Sequence, residues 1–285
     1  MIRLENESII AEIEEKGGEM RRLYSKACGR EYLWTADPAV WPRHAPVLFP
    51  FVGRCKNNRY HYRGKAYPMG QHGFARDLRF MVTDESPGTV TLSLLYSEET
   101  LKVYPFQFEL RITYTLRESS VEVEYQVRNL DLTDVMYFSL GGHPGFLLPS
   151  DQNNYIEFEK EETLNRLILS KNGQFLRKLQ PYLQGSNRIE LTPGLFDHDA
   201  LVFKDLKSQF IQLKSTETPR SVRVDLGGFP YVGIWAVPGA PFVCIEPWFG
   251  LADFEDFEGE LPEKEGIQKL LGGDCFDCRY TIQLH

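Results

Sequence analysis

The sequence lacks the long apolar runs and the excess of positive charge that membranes and nucleic acids require of their protein partners. No stretch approaches the roughly 20 consecutive apolar residues of a membrane-spanning helix, and the apolar segment at residues 45–52 is interrupted by Pro46 and Pro50. The chain carries 32 Lys and Arg against 40 Asp and Glu, and the net charge of −8 repels a polyanion. We therefore expect no membrane and no nucleic acid among its partners.

Cysteine is also scarce, with five residues in a chain of 285. An odd number spread over a long chain excludes a complete disulfide framework and favours a reducing compartment. Cys275 and Cys278 form a single CxxC with no second pair and no flanking histidine, so we interpret them as structural thiols rather than a zinc or redox site. Because the N-terminus has no charged segment followed by an apolar one, we expect a cytoplasmic protein.

Several motifs that bind cofactors or supply nucleophiles are missing as well. There is no P-loop and no GxGxxG after a strand, so no nucleotide cofactor is expected. No GxSxG motif supplies a nucleophilic serine. No HExxH or His-x-His spacing indicates a metal, and a metal site built from His72, His143 and a carboxylate is the less favoured alternative. The expected chemistry uses neither a metal nor an organic cofactor.

Short runs of alternating apolar and polar residues dominate the chain, and 13% of its residues are aromatic. Alternation at residues 90–96, 106–116 and 120–129 is typical of strands with one buried face. The links at residues 85–88 and 117–120 are short enough for hairpins. Three such strands in succession predict an antiparallel meander in an all-β fold. Further strands are predicted at residues 2–4, 9–14, 19–25, 59–62, 155–158, 201–203, 210–214, 222–225, 231–236, 242–246 and 280–284.

Helical periodicity is almost absent. The one predicted helix is short and covers residues 262–271, where Glu263 and Glu265 suit a helix N-terminus and Gly272 can help to end it. The chain is 42% apolar, and no linker, charge block or repeat interrupts the strand-like pattern. This continuity favours a single domain over residues 1–285.

Two histidines lie in glycine-rich segments where the backbone is expected to turn. His72 lies in the segment QHGFAR, and His143 lies in GGHPGF. An imidazole at such a turn can face a cleft and exchange a proton near pH 7. Taken singly, each is better interpreted as a structural histidine, but two in the same setting require a joint explanation.

A glutamate, an arginine and an aspartate lie at the ends of apolar segments. Glu246 ends a strand before Pro-Trp, where loss of water would raise its pKa toward the range of a general acid or base; a backbone-bonded structural glutamate is the alternative. Arg54 can bind oxygen acceptors or form a structural ion pair. Asp199 precedes another apolar strand and can accept hydroxyl hydrogen bonds or cap a turn.

Taken together, these segments resemble the aldose 1-epimerase (galactose mutarotase-like) family, in particular its LacX-like bacterial branch. The resemblance covers nearly the whole chain and rests on an ordered set of segments: GGEMRRL at 17–23, EYLW at 31–34, WPRHAPVLFPFVGR at 41–54, QHGFAR at 71–76, CIEPW at 244–248 and EKEG at 263–266. It implies a large antiparallel β-sandwich with few short helices, a concave sugar-binding face and no cofactor.

The resemblance also implies roles for the residues in these motifs. Glu246 looks like the family's catalytic base, and His143 looks like its general acid. His72 is similar to the second active-site histidine, which hydrogen-bonds the sugar near the ring oxygen. Arg54 resembles a substrate-binding arginine. Asp199 is preferred to its neighbour at position 197 as the sugar-binding aspartate.

The implied activity is the interconversion of the α and β anomers of an aldohexose by a protein that is a monomer or a homodimer. The segment QHGFAR is shared with relatives resembling hexose-6-phosphate mutarotases, in which Arg76 and Arg54 would grip a phosphate; pairing of Arg76 with Asp77 is the alternative. An unphosphorylated aldose is the preferred substrate. A carbohydrate-binding or sensing protein without turnover remains the alternative from another class, and a glycosidase using Glu246 with Asp199 is less favoured.

Overall fold

The computed structural model describes all 285 residues, and strands make up most of its regular structure. The strands are β1 Ile2–Glu5, β2 Ile9–Glu14, β3 Glu19–Ser25, β4 Arg30–Glu31, β5 Val47–Leu48, β6 Arg59–Tyr62, β7 Lys65–Pro68, β8 Met81–Ser86, β9 Thr89–Leu95, β10 Phe108–Arg117, β11 Ser120–Asn129, β12 Met136–Phe138, β13 Leu140–Gly142, β14 Gly145–Leu147, β15 Asn154–Leu169, β16 Phe175–Glu190, β17 Leu201–Lys204, β18 Phe210–Ser215, β19 Val222–Asp225, β20 Tyr231–Trp235, β21 Phe242–Phe249, β22 Gln268–Leu270 and β23 Cys275–Leu284. The helices are α1 Glu98–Val103 and three 3₁₀ turns, Lys56–Asn58, Ala75–Asp77 and Leu261–Glu263. None of these helices is long and apolar enough to span a lipid bilayer.

One antiparallel sheet of fifteen strands takes up most of the chain. Its main path runs β5-β13-β21-β20-β17-β15-β18-β19-β23-β11-β10-β9-β8, with β14 paired to β21 and β16 paired to β15. A separate four-stranded sheet, β1 to β4, packs against it, and the Tyr114 hydroxyl donates to the Gly18 carbonyl at 2.7 Å between them. The predicted all-β sandwich is confirmed.

The predicted meander is the part of the sheet that local pattern describes best. Residues 120–129 form β11 as expected, and its side chains alternate between buried and half-buried positions along the whole strand. Arg117 pairs with Ser120 across a two-residue turn, and Ser86 pairs with Thr89 across Pro87-Gly88. The strands β8 to β11 pair in chain order: short turns join β8 to β9 and β10 to β11, and β9 pairs with β10 although residues 96–107, which include α1, lie between them.

The predicted helix at residues 262–271 is wrong. The structure has a 3₁₀ turn at Leu261–Glu263, and then Gly266 adopts a φ of +76° before β22 begins. A left-handed residue stops a right-handed helix, and Lys264 is drawn inward by the buried carboxylate of Asp253. The α-helix that does form, α1, was not predicted; it begins at Ser97, whose hydroxyl accepts from the Thr100 N–H in a capping box.

The hairpin of β15 and β16 is much longer than the predicted strand at residues 155–158. Its two strands have sixteen residues each, and their register shifts four times along the ladder. The tip is a tight turn in which the Gly173 N–H donates to the Ser170 carbonyl at 3.0 Å. The Phe175 N–H then donates to the Asp253 carbonyl at 2.8 Å, so the tip is held against the segment that follows β21. This contact brings residues 170–173 to the edge of the cleft described next.

Candidate active site

One cleft has a volume of about 720 Å³ and is lined by 21 residues. Its walls come from the segment after β5, the break between β13 and β14, the β15–β16 tip, the loop before β17, and strands β20 and β21. Six side chains singled out from the sequence line it: His72, Arg76, His143, Asp197, Asp199 and Glu246. Arg54 does not line it.

His143 and Glu246 meet because their strands pair in one register. Gly141 pairs with Trp248 and Gly145 pairs with Cys244, so His143 lies in the break between β13 and β14 directly across from Glu246 on β21. The distance from His143 Nε2 to Glu246 Oε2 is 3.3 Å. The pairing of β13 and β14 with β21 therefore fixes the position of His143 relative to Glu246.

Glycines make this close approach of backbones possible. A Cβ atom on Gly141 would lie 2.7 Å from the Trp248 ring, and one on Gly142 would lie 2.8 Å from the Tyr280 hydroxyl. On the other side of β21, a Cβ on Gly233 would lie 2.6 Å from the Trp248 ring. Contacts this short are repulsive, so the Gly-Gly before His143 is a packing requirement of the site.

Burial changes the proton affinities of the pair in opposite directions. Glu246 is 1% exposed, and loss of water raises its pKa well above 4.5; the Trp248 indole lowers it and the charge of Asp199 raises it. His143 is 7% exposed, and loss of water lowers its pKa to about 3. Both shifts favour a protonated carboxyl beside a neutral imidazole. Moving one proton across the contact converts this neutral pair into an ion pair without changing the total charge.

His72 is held in one tautomer by the backbone of Gly53. The backbone N–H of Gly53 donates to His72 Nδ1 at 3.1 Å, and the backbone N–H of His72 donates to the Gly53 carbonyl at 2.8 Å. Because Nδ1 is an acceptor, the neutral ring carries its proton on Nε2. Burial lowers the pKa of His72 well below 6.5, and the nearby His143 and Arg76 act in the same direction. His72 therefore offers a neutral N–H donor at Nε2, which lies 3.3 Å from the Gln71 side-chain nitrogen, and its ring centre is 5.6 Å from that of His143.

The two predicted substrate-binding arginines converge on Gln71. Arg76 lines the cleft, and its Nη2 donates to the Gln71 carbonyl at 2.7 Å. Arg54 lies behind Gln71 and donates from Nη2 to the Gln71 side-chain oxygen at 3.2 Å. The Nε atoms of both arginines are buried without a hydrogen-bond partner. Arg76 also lies 3.9 Å from Asp77, whose closer partner is Arg43 at 2.7 Å.

Asp197 and Asp199 both line the cleft from the turn before β17. Asp199 has a φ of +74°, and one carboxylate oxygen accepts from the next backbone N–H, that of Ala200, at 2.7 Å. Asp199 therefore caps the turn, which was one of its two interpretations from the sequence, and its side chain also lines the cleft. Its charge also acts on Glu246, as described above.

A comparison with known protein families identifies the chain. The family model described as aldose 1-epimerase matches residues 1–265. The chain belongs to the aldose 1-epimerase family. Among curated relatives, the plasmid and the chromosomal forms of protein LacX from Lactococcus lactis subsp. lactis are each 32% identical over 296 aligned residues, which cover 99% of both chains.

Two solved structures agree in fold with this aldose 1-epimerase family member over nearly their full lengths. A galactose mutarotase related enzyme from Lactobacillus acidophilus is 38% identical, with a TM-score of 0.93 and coverage of 100% of this chain and 97% of that one. A galactose mutarotase-like protein from Lactobacillus casei is 33% identical, with a TM-score of 0.95 and full coverage of both chains.

Several residues that line the cleft of this aldose 1-epimerase family member were not predicted to do so. Trp41 and Trp235 enclose His143, with ring centres 5.0 and 5.7 Å from the imidazole. His198 and Lys171 line the rim. A tryptophan in a sequence usually predicts a core position and not a cleft. The position of Lys171 depends on the full length of the β15–β16 hairpin, which the alternation of apolar and polar residues did not predict. His198 lies between Asp197 and Asp199 in the sequence, and no motif around it indicates a role.

Proposed function

We propose that the protein is an aldose 1-epimerase that interconverts the α and β anomers of an unphosphorylated aldohexose. The observation that carries the proposal is the buried contact of His143 with Glu246 at the floor of a sugar-sized cleft. Anomer exchange needs one proton removed from the C1 hydroxyl and one delivered to the ring oxygen. These two oxygens are bonded to the same carbon, so an acceptor and a donor 3.3 Å apart suit them.

Ring opening starts from the ion-pair form of the two residues. The Glu246 carboxylate takes the C1 hydroxyl proton while the C1–ring oxygen bond breaks and the ring oxygen takes the proton of His143 Nε2. The products are the open aldehyde, a neutral imidazole and a protonated carboxyl. Burial favours this neutral pair, so the desolvated site assists the charge-removing direction of the reaction.

Ring closure reverses the proton transfers after rotation about the C1–C2 bond. Neutral His143 takes the proton of the open-chain hydroxyl, this oxygen attacks the other face of the aldehyde, and Glu246 returns its proton to the C1 oxygen. The pair ends in its starting form. The neutral Nε2–H of His72 suits hydrogen bonding to a sugar oxygen beside the reacting carbon, because it donates without competing for the transferred proton.

The decisive experiment follows the optical rotation of freshly dissolved α-glucose and α-galactose with wild type, Glu246→Gln and His143→Asn. Each substitution is expected to reduce kcat by about 10²–10⁴-fold, the usual contribution of one acid or base. Glu7→Gln, a change at an exposed glutamate, is the matched control and should retain full activity. A wild-type rate equal to buffer for every sugar would refute the proposal, and calorimetric sugar binding without turnover would then support a binding protein.

A hexose 6-phosphate is the second candidate substrate. The observation that favours it is the buried Nε atom of Arg76, which has no hydrogen-bond partner, together with Lys171, which also lines the cleft. If a phosphate is bound there, Arg76→Gln should lower kcat/KM for glucose 6-phosphate by roughly tenfold to 100-fold, with little effect on free glucose. Equal losses of kcat/KM for glucose 6-phosphate and glucose would mean that Arg76 holds Gln71 in place and does not bind a phosphate.

A further inference from the structure

A thiol lies directly beneath the catalytic pair, and the proposed reaction makes no use of it. Cys244 and Glu246 are two residues apart on β21, so their side chains lie on the same face of the strand. Cys244 pairs with Gly145, next to the break that carries His143. One ligand atom from each of His143, Cys244 and Glu246 lies within 4.8 Å of the other two, and all three residues are buried.

The polar atoms of this cluster lack partners within the protein. His143 Nδ1 and Glu246 Oε2 are buried without a hydrogen bond. Cys244 is a free thiol and is fully buried. Buried polar atoms without partners are uncommon in folded proteins, and a cation bound to His143 Nε2, the Cys244 thiolate and Glu246 Oε2 would give that carboxylate oxygen a partner.

The donor set has the composition and nearly the spacing of a zinc site. A nitrogen, a sulfur and a carboxylate oxygen are the three ligand types that zinc takes in proteins, at about 2.0–2.3 Å from the ion. Such bond lengths in a tetrahedron separate the ligand atoms by about 3.3–3.8 Å. The distance of 3.3 Å from His143 Nε2 to Glu246 Oε2 is within this range. The Cys244 sulfur lies up to 4.8 Å from these two atoms, so it would have to move about 1 Å closer to them.

We infer that His143, Cys244 and Glu246 form a binding site for a thiophilic divalent cation of the zinc class, and that the bound cation inhibits sugar turnover. The cation would occupy the atoms that exchange protons with the substrate, so it acts as an inhibitor competitive with the sugar and not as a cofactor. The cation-binding claim stands without the proposed function, and only the inhibition rests on it.

The test measures Cd²⁺ binding to the whole protein by equilibrium dialysis and by the ultraviolet absorption of the thiolate–cadmium bond. Wild type is expected to bind one equivalent with this absorption. Cys244→Ser should lose the absorption and bind at least about 100-fold more weakly, a loss at the top of the range known for altered metal surroundings. Glu246→Gln, which keeps the thiol, should also weaken binding, and this separates a chelating site from a reactive thiol.

The matched control is the pair Cys275→Ser and Cys278→Ser on β23, which removes the other clustered thiols and should leave Cd²⁺ binding unchanged. In the mutarotation assay, Zn²⁺ should inhibit wild type but not Cys244→Ser. Absorption that persists in Cys244→Ser, or that disappears with the β23 thiols, would overturn the inference. A protein that binds Cd²⁺ through Cys244 yet turns over no sugar would leave this site standing and refute only the proposed function.

Discussion

At the scale of single residues, the glycine at position 53 decides how His72 is presented to the cleft. Gly53 has a φ of +71°, and a Cβ there would lie 2.6 Å from Ala252 Cβ. Gly53→Ala should therefore displace the N–H that sets the His72 tautomer, lowering kcat/KM and costing about 2–5 kcal/mol of unfolding free energy from strain and overpacking together. Gly64→Ala is the matched control, since Gly64 has a φ of +72° with nothing near its Cβ position. It should cost only about 1–2 kcal/mol and leave activity intact.

Another residue-scale prediction concerns stability in acid. Burial lowers the pKa of His44, which lies outside the cleft, to about 4. Below pH 6.5 His44 is protonated in the unfolded chain, whereas in the folded chain it is protonated only below about pH 4. The free energy of unfolding therefore decreases as the pH falls between these values. Between pH 7 and pH 5 the titration of His44 should lower the free energy of unfolding by about 2 kcal/mol. Urea unfolding of wild type and His44→Gln at both pH values measures it, and equal pH dependence in the two proteins would contradict the shift.

At the scale of elements, a buried ion pair joins three segments around the site. Asp253 and Lys264 are each 3% exposed and in direct contact. Asp253 also accepts from the Lys56 N–H at 2.7 Å, donates its own N–H to the Arg54 carbonyl and accepts from Phe175 at the hairpin tip. The loop after β5, the β15–β16 tip and the turn before β22 are thus tied to one residue.

Breaking this pair should loosen the cleft wall as well as the fold. Lys264→Met leaves a buried carboxylate without its cation and is expected to cost about 3–5 kcal/mol. Adding Asp253→Asn removes the stranded charge and keeps an acceptor for Lys56, so the double variant should recover much of the loss. A double-mutant cycle from urea unfolding gives the coupling free energy, and additive costs would mean that the pair contributes little as a pair.

At the scale of the whole molecule, β23 joins the two parts of the large sheet. It pairs with β11 of the meander on one side and with β19 on the other, so the last strand of the chain occupies a central position. Ile282→Ala, at a fully buried position of β23, should cost about 2–5 kcal/mol. Met81→Ala on the edge strand β8, where the side chain is 71% exposed, should stay within about 0.5 kcal/mol. Similar costs for the two would contradict a central role for β23.

The local pattern of residues along the chain was enough to predict the all-β class and strands such as residues 120–129. It was also enough to single out the segments that carry His72, His143 and Glu246. Alternation with a period of two and turn residues such as Pro87-Gly88 act between near neighbours, and so they can be read in order. The pattern failed at residues 262–271, where a contact of Lys264 with the distant Asp253 overrides the local preference for helix. It also underestimated the β15–β16 hairpin, whose irregular register hides its alternation.

The site itself depends on contacts between segments that are far apart in the chain. Strand register brings His143 to 3.3 Å from Glu246, and the hairpin tip carries Lys171 to the rim. The same folding leaves Arg54 behind Gln71 and sets Cys244 close to His143 and Glu246. The amino-acid sequence alone determined which chemical groups are available. The distances between them, their burial and the resulting pKa shifts were set only by the tertiary structure. The reason is that desolvation depends on everything that packs around a group and not on its neighbours in sequence.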